Sequence, residues 1–286
     1  RWEVARARGA GARGMFLGSE AIFLGAAVSV AVVYLVLRLR NARRRRALVA
    51  RTAPRVEAWS RRLAFRALDP RPLTEAPAGV ARVPAVLPAQ TFDTLRRAAL
   101  GQLGDVERSY LPAHKQGGTA SQDRLRETAP EIIAFYQSDF LRGLVSRVAG
   151  EPVRATPAWD QSSCSVLLYT NPGDHIGWHY DYNFYRGRHF TVLLFVENRG
   201  RGGAGLSSAV LQARTGEGEE AVPTPANTLV VFEGARTLHR VTRLGEGERR
   251  VVISMTFATR PTSPPHKEMV RRIKDTAYFG LRALWA

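Results

Sequence analysis

Two short motifs carry residue types that bind metal ions: His179-Tyr180-Asp181 and, farther along the chain, His239. His179 and Asp181 are two positions apart, so on a β-strand their side chains leave the same face. A third ligand from a distant strand would complete two imidazoles and one carboxylate around one metal ion. That set is the facial triad, which holds non-haem Fe(II) and leaves coordination positions open. The motifs therefore predict an oxygen-activating iron site in which His179, Asp181 and His239 are the metal ligands and catalytic residues.

Short apolar runs separated by turn signals surround these motifs. The turn Asn171-Pro172-Gly173-Asp174 precedes the ligand pair, and a glycine-rich segment closes the next run. The apolar runs cover residues 165–169, 190–196, 209–211, 228–232 and 249–257. Several short strands with turns between them predict a mainly β fold with flanking helices (α+β), as an antiparallel barrel or jelly roll. Such a barrel would bring the three ligands together at one mouth.

Five elements of this segment match a known pattern: Tyr169, His179-Tyr180-Asp181, Asn227–Phe232, His239-Arg240-Val241 and Arg250. On these residues, Ala81–Pro261 resembles the Fe(II)/2-oxoglutarate-dependent dioxygenase superfamily, and within it the prolyl 4-hydroxylase-like catalytic domain. The resemblance implies a double-stranded β-helix core. It also implies Fe(2+) as the metal and 2-oxoglutarate as the co-substrate, with ascorbate as an optional accessory.

The resemblance further implies a site for the co-substrate. In the family, the strand after the second histidine carries a basic residue that binds the distal carboxylate of 2-oxoglutarate, and Arg250 matches that position. A guanidinium suits this task because it pairs with a carboxylate through two parallel hydrogen bonds. Ser254 would share a strand face with Arg250 and add a hydroxyl, whereas Arg249 would point away as a solvated charge. Tyr169 is either a further co-substrate contact or a core residue.

The reaction implied by the resemblance is a hydroxylation that releases succinate and CO2. Halogenating relatives replace the carboxylate ligand with a small residue, so the presence of Asp181 favours hydroxylation. The sequence departs from prolyl hydroxylases at Gly202–Gly205, where they often carry Gly-Gly-Glu, and at Phe195, where some relatives have tyrosine. The substrate therefore stays open between a protein prolyl side chain, a lipid and a small molecule.

The remaining histidines and the cysteine have simpler interpretations. His175 lies four positions before His179, and such a pair binds metal on a helix, but the turn just before it argues against a helix. The single cysteine, Cys164, excludes an intrachain disulfide and is expected to be a small apolar residue within a strand. Three histidines without a partner pattern are expected to be surface or packing residues: His114, His189 and His266.

The N-terminal part predicts a membrane anchor. Residues 15–37 are nearly all apolar, and as a helix they would extend roughly 34 Å, enough to cross a bilayer core. The arginines of residues 38–51 then act as a stop-transfer signal and place the C-terminal part on the cytoplasmic side, as in a single-pass protein. A cleaved signal peptide is the competing interpretation.

The whole chain then divides into five parts. They are a basic tail (1–14), a transmembrane helix (15–37), a basic juxtamembrane helix and linker (38–75), the dioxygenase domain (76–261) and a C-terminal amphipathic helix (262–286). Ahead of the barrel, helices are predicted over Gln90–Leu103 and Ala129–Ala149. The C-terminal helix either docks on the barrel or lies on a membrane.

The net charge of +17 is unevenly distributed. Residues 1–75 hold 16 arginines and five acids, a net +11, whereas the remainder holds 26 basic residues and 20 acids, a net +6. Most of the basic excess flanks the apolar segment, so membrane lipids are the expected partner and nucleic acid is not. Besides an enzyme acting on a small molecule, lipid or polypeptide, the alternative is a tethered barrel that binds metal or ligand without turnover.

Overall fold

The protein is described by a computed structural model that covers residues 4–67, 75–76, 79–104, 107–111, 114–215 and 218–279. The side chains of residues 4–23, 26, 27, 75, 76, 107, 111, 215 and 277–279 lie outside the described part. The helices are α1 Val4–Ser60, α2 Ala89–Leu100, α3 Gln122–Thr128, α4 Pro130–Tyr136, α5 Asp139–Ala149 and α6 Pro265–Phe279.

Most of the remaining described chain forms one curled, antiparallel, jelly-roll-like sheet. Its strands are β1 Glu75–Ala76, β2 Val80–Val83, β3 Glu107–Leu111, β4 Lys115–Ala120, β5 Arg154–Ala155, β6 Cys164–Tyr169, β7 His175–His179, β8 His189–Arg199, β9 Leu211–Thr215, β10 Gly218–Val222, β11 Thr228–Glu233, β12 His239–Val241 and β13 Arg249–Ala258. The strand order is β1-β2-β11-β8-β13-β6-β4-β7-β12-β9-β10, with β3 paired to β4 and β5 to β13. The mainly β class and the flanking helices predicted from the sequence are therefore confirmed.

Strand alternation divides β8 and β13 into two faces. One face packs into a core shared with α2, α3, α4 and α5, and its residues are Phe190, Val192, Leu194, Val196, Val251, Ile253, Met255 and Phe257. The other face lines a cavity, with Thr191, Leu193, Arg250, Val252, Ser254 and Thr256. The apolar face anchors the strands because buried side chains of this size each stabilise a fold by about 1.5–3 kcal/mol. The second face is then free to carry polar residues.

The C-terminal half of α1 packs on the helices that cover the sheet. Val56 on α1 and Leu63 just after it are buried in the core. Arg45 forms an ion pair with Asp123 of α3, with 3.1 Å between Nη2 and Oδ2. The apolar side chains that follow the arginine-rich segment, Val56, Trp59 and Leu63, therefore pack within the same chain.

The prediction of a membrane-spanning helix over residues 15–37 is not supported. In the part of the chain that the structure describes, no helix carries an apolar stretch long enough to cross a bilayer. The charge-free stretch ends at Arg38, where α1 continues without a break into its arginine-rich part. The side chains over most of residues 15–27 are outside the described part. The single-pass topology and the cytoplasmic placement derived from it have no structural support.

The helix predicted over Ala129–Ala149 is two helices, α4 and α5. The helical conformation is interrupted at Ser138, whose backbone is extended (φ −66°, ψ 145°). Its hydroxyl accepts a hydrogen bond from the backbone N–H of Leu141. Serine in this position caps a new helix because it satisfies a backbone donor that has no partner within the helix. The prediction over Gln90–Leu103 corresponds to α2, which ends three residues earlier, at Leu100.

The C-terminal helix α6 docks on the body of the protein. Arg271 is fully buried, forms ion pairs with Glu268 and Asp275, and stacks over the ring of Trp159. Lys267 donates hydrogen bonds to backbone carbonyls of the loop that follows β7. Of the two positions considered for this helix, the described part of α6 occupies the one against the barrel.

Candidate metal and co-substrate site

The three predicted metal ligands meet at one end of the barrel. His179 ends β7, Asp181 follows it, and His239 begins β12, directly paired with His179 across the two strands. Asp181 Oδ1 lies 3.5 Å from His179 Nε2, and its Oδ2 lies 3.9 Å from His239 Nε2. One donor atom from each residue lies within 4.8 Å of the others, and this group does not include His175. The geometry fits one metal ion held from one side.

Backbone carbonyls hold both imidazole rings in the orientation that a metal ion requires. His179 Nδ1 lies 2.8 Å from the carbonyl oxygen of Gly177, and His239 Nδ1 lies 2.9 Å from that of Thr237. A carbonyl only accepts, so each Nδ1 donates its proton. The Nε2 lone pairs therefore point into the group as metal ligands.

Asp181 is held by two residues that the sequence analysis did not single out. The hydroxyl of Thr191 on β8 donates to Asp181 Oδ2, and the backbone N–H of Asp181 donates to the carbonyl of Gly234 at 3.0 Å. A Cβ atom on Gly234 would lie 2.5 Å from Oδ2. Both residues come from neighbouring strands or turns, so only the tertiary pairing reveals them.

The electrostatics of the group favour the metal-binding protonation states of His239 and Asp181. Burial lowers the pKa of His239 and outweighs the opposing effect of the charge of Asp181. Burial also lowers the pKa of His179, but the hydrogen bond and charge of Asp181 outweigh it and raise that pKa. For Asp181, burial is outweighed by its hydrogen bond with His179 and by the two histidines, so its pKa falls far below the ordinary range. The carboxylate is therefore ionised and able to bind a cation.

Arg250 lies deeper in the same cavity and is almost completely buried, at 1% exposure. Its guanidinium carbon sits 4.8 Å from the ring centre of Tyr169 and 4.9 Å from that of Phe195. Burial lowers the pKa of this guanidinium. Its Nε and Nη1 atoms have no hydrogen-bond partner among the described residues. Two buried, unsatisfied donors are costly, and an anionic ligand such as a carboxylate is a suitable partner for a guanidinium with free donors.

The other predicted co-substrate residues divide between the cavity and the surface. Ser254 lines the cavity on the same face of β13 as Arg250. Arg249 points to the opposite face and forms an ion pair with Glu197. Tyr169 is buried and lines the cavity, so it is at once a core residue and a neighbour of Arg250.

The cavity measures about 340 Å³ and joins the three metal ligands to Arg250. Its wall includes four residues for which the sequence analysis predicted no role in the site: His114, Lys115, His189 and Lys274. The ring of His114 lies edge-on to that of His179, with 5.5 Å between their centres. The expectation that His114 and His189 are ordinary surface or packing residues is therefore incomplete, because both face the cavity.

Comparison with protein families agrees with this geometry. Residues 164–257, which contain the triad and Arg250, match the family model described as the 2OG-Fe(II) oxygenase superfamily. This segment belongs to that superfamily. The 2OG-Fe(II) oxygenases are enzymes that use Fe(2+) and 2-oxoglutarate, and the donor set and the unsatisfied guanidinium of this chain fit both. Residues 78–200 also match a second model, described as Halogenase D. No curated protein matches the chain.

Solved structures share the fold of this chain. The non-haem α-ketoglutarate-dependent epimerase SnoN from nogalamycin biosynthesis is 17% identical, with a TM-score of 0.53 over 67% of this chain and 85% of its own. A prolyl hydroxylase from Trichoplax adhaerens, solved with a hypoxia inducible factor peptide, is 16% identical, with a TM-score of 0.51 over 64% and 84%. A 2OG-Fe(II) oxygenase family oxidoreductase from Burkholderia pseudomallei is 12% identical, with a TM-score of 0.51 over 66% and 89%. At these identities the likeness shows the fold alone.

Proposed function

We propose that this oxygenase hydroxylates an unactivated C–H bond of an organic substrate and releases succinate and CO2. The observation that carries the proposal is the carboxylate of Asp181, which stands within metal-ligand reach of His179 and His239. The two donors of Arg250 that have no partner in the described residues support a dicarboxylate co-substrate at the other end of the cavity.

The chain's own residues position the reactants. His179, Asp181 and His239 would hold the iron, and Arg250 would bind the distal carboxylate of 2-oxoglutarate beside Ser254. When bound, iron and 2-oxoglutarate supply the activation of oxygen that breaks the C–H bond. Apolar walls such as Leu193 and Val252 exclude water from the buried end of the cavity. The carbonyls that accept from the two Nδ1 atoms keep the imidazoles in one tautomer throughout the reaction.

Halogenation is the second candidate, because residues 78–200 match the Halogenase D model. A halide needs a coordination position of its own, and Asp181 fills the position that halogenating enzymes leave open. The proposal therefore favours hydroxylation. Product analysis in the presence of chloride separates the two, since a hydroxylase adds one oxygen and a halogenase adds one chlorine to the substrate.

Succinate release tests the proposed class of activity. The full chain is incubated with Fe(II), 2-oxoglutarate and oxygen, since enzymes of this type turn over some co-substrate without substrate. We expect succinate from the wild type and none above background from Asp181→Ala. Arg249→Ala is the matched control, because Arg249 faces away from the cavity, and it should keep wild-type activity. No succinate from a correctly folded, iron-loaded wild type would instead favour a barrel that binds ligands without turnover.

The substrate and the lipid partner remain proposals. A prolyl side chain, a lipid and a small molecule are all retained as substrates. Contact with membrane lipid is supported by a stretch of α1, just before its arginines, in which many apolar side chains are exposed. These side chains are Leu24, Val28, Val30, Val32, Val33, Leu35 and Val36. Sedimentation of the full chain with anionic vesicles, compared with neutral ones, tests this contact.

A further inference from the structure

Lysine is rare in this chain and is concentrated at the cavity. Of the 42 basic residues only three are lysines: Lys115, Lys267 and Lys274. Lys115 and Lys274 line the cavity that contains the triad, and Lys267 binds the loop at its rim. Elsewhere the chain uses arginine for positive charge. A compact ammonium with a flexible stem differs from a planar guanidinium in how it binds and how easily it loses a proton.

Lys115 is the deeper of the two cavity lysines. It begins β4, paired with Ile176 of β7, and only 5% of it is exposed. Its Nζ donates a hydrogen bond to the hydroxyl of Thr119 at 2.9 Å. Burial, followed by the charge of Lys274, lowers the pKa of Lys115 to about 7. A lysine in such a position is costly for the fold, which points to a role inside the cavity.

The charges of the α6 cluster beside the cavity balance one another. In one cluster, three basic residues of α6 interact with three acids. The bases are Arg271, Arg272 and Lys274, and the acids are Asp160, Glu268 and Asp275. Lys274 lies 3.0 Å from Asp275, measured from Nζ to Oδ1. This cluster therefore leaves no excess charge for a ligand.

The charges in the depth of the cavity do not balance. Besides Asp160 and Lys274, whose opposite charges offset each other, its charged side chains are Lys115, Arg250 and Asp181. The proposed function adds a divalent iron ion and dianionic 2-oxoglutarate. Iron and co-substrate cancel, and Asp181 cancels one of the two basic residues. With Lys115 in its ammonium form, which a bound carboxylate favours, one positive charge remains in the loaded cavity. That charge matches a monoanionic substrate better than a neutral or dianionic one.

We propose that Lys115 binds a carboxylate of the organic substrate and so makes this oxygenase selective for small monocarboxylic acids. The inference rests on the proposed function for the identity of the loaded cavity. The apolar wall residues Leu167, Ile176 and Leu193 would contact the carbon chain of such an acid, and the carboxylate would lie at Lys115 and Thr119. Lys115 is a positioning and specificity residue in this scheme.

Binding of matched acid and amide probes tests the proposal. The full chain is loaded with Fe(II) and saturating 2-oxoglutarate without oxygen, and calorimetry measures binding of propionate, hexanoate and benzoate and of their primary amides. We expect at least one acid to bind tenfold or more tightly than its amide, because a hydrogen bond to a charged group contributes this much. If no acid outcompetes its amide, the proposal is wrong.

Variants assign the preference to Lys115. Lys115→Met and Lys115→Gln should abolish the acid preference and keep the affinity for 2-oxoglutarate, and Lys115→Arg should keep part of the preference. Lys267→Met is the matched control, because this lysine lies outside the cavity wall, and it should behave as the wild type. An unchanged acid preference in both neutral variants would overturn the proposal.

Two further outcomes would assign Lys115 to the co-substrate instead and equally overturn the proposal. One is weaker 2-oxoglutarate binding in Lys115→Met, and the other is acid binding that weakens as 2-oxoglutarate increases. The succinate assay with Asp181→Ala distinguishes this failure from failure of the proposed function. Asp181-dependent succinate without acid selectivity removes only the role of Lys115.

Discussion

At residue scale, the position of Asp181 depends on the absence of a side chain at Gly234. A Cβ atom on Gly234 would lie 2.5 Å from Asp181 Oδ2, 2.6 Å from its Cβ and 2.8 Å from Thr191 Oγ1. Real Cβ atoms do not approach other atoms this closely, so a side chain at Gly234 would displace either the carboxylate or the strand. The metal ligand therefore depends on a residue that carries no chemistry of its own.

Gly234→Ala should weaken iron binding by about tenfold or more, since a shift of even one ligand disturbs the geometry of the site. The measurement is titration of the full chain with Fe(II) without oxygen. Gly104→Ala is the control, because a Cβ there meets no atom within 4 Å. Equal iron affinity in the two variants would show that Asp181 tolerates the added methyl group.

Lys115 should make the stability of the protein depend on pH. Its pKa is about 7 in the fold against an ordinary value of 10.5, so between these values the unfolded chain binds more protons. Stability then rises with pH across this window. Lys115→Met should therefore be more stable than the wild type near pH 7, and the advantage should shrink toward pH 10. Urea unfolding at several pH values measures the difference, and a constant difference would contradict the lowered pKa.

At element scale, α6 is fixed by a buried ion pair and completes the cavity wall with Lys274. Its docking was one of two alternatives in the sequence, because an amphipathic pattern shows that a helix has an apolar face and not what covers it. The break between α4 and α5 was also missed. The helical periodicity continues across Ser138, and only its cap geometry separates the two helices.

Arg271→Met should weaken the docking of α6, because the buried carboxylate of Asp275 loses its guanidinium partner and keeps only Lys274. The partners left behind would be Asp275 and Glu268. Faster proteolysis and hydrogen exchange of residues 265–279 would report the weaker docking. Ile273→Ser is the control on the same helix, since Ile273 is 60% exposed and should not change the exchange. If Arg271→Met keeps wild-type protection, α6 is held by its other contacts.

At the scale of the whole molecule, the sequence predicts what depends on local spacing. Strand alternation correctly placed Ser254 on the face of Arg250 and turned Arg249 away. The positions of Thr191, Gly234 and Lys115 beside the site depend on which strands become neighbours, and no local pattern encodes that. The predicted membrane span has no support among the described residues, and an apolar run by itself identifies a hydrophobic segment without fixing its surroundings.

The metal ion and the co-substrate should stabilise the whole barrel in a fixed order. The triad joins β7 to β12 and, through Thr191, to β8, so a ligand that binds only the folded state raises the thermal midpoint. At about a hundredfold excess over the dissociation constant this contribution is about 2.7 kcal/mol. Fe(II) without oxygen should raise the midpoint, and 2-oxoglutarate should raise it further only when metal is present.

In Arg250→Met the metal effect should remain and the co-substrate effect should disappear, because the triad is intact and the guanidinium is gone. Loss of both effects in this variant would instead mean that Arg250 supports the metal site itself, and persistence of both would place the distal carboxylate on another residue.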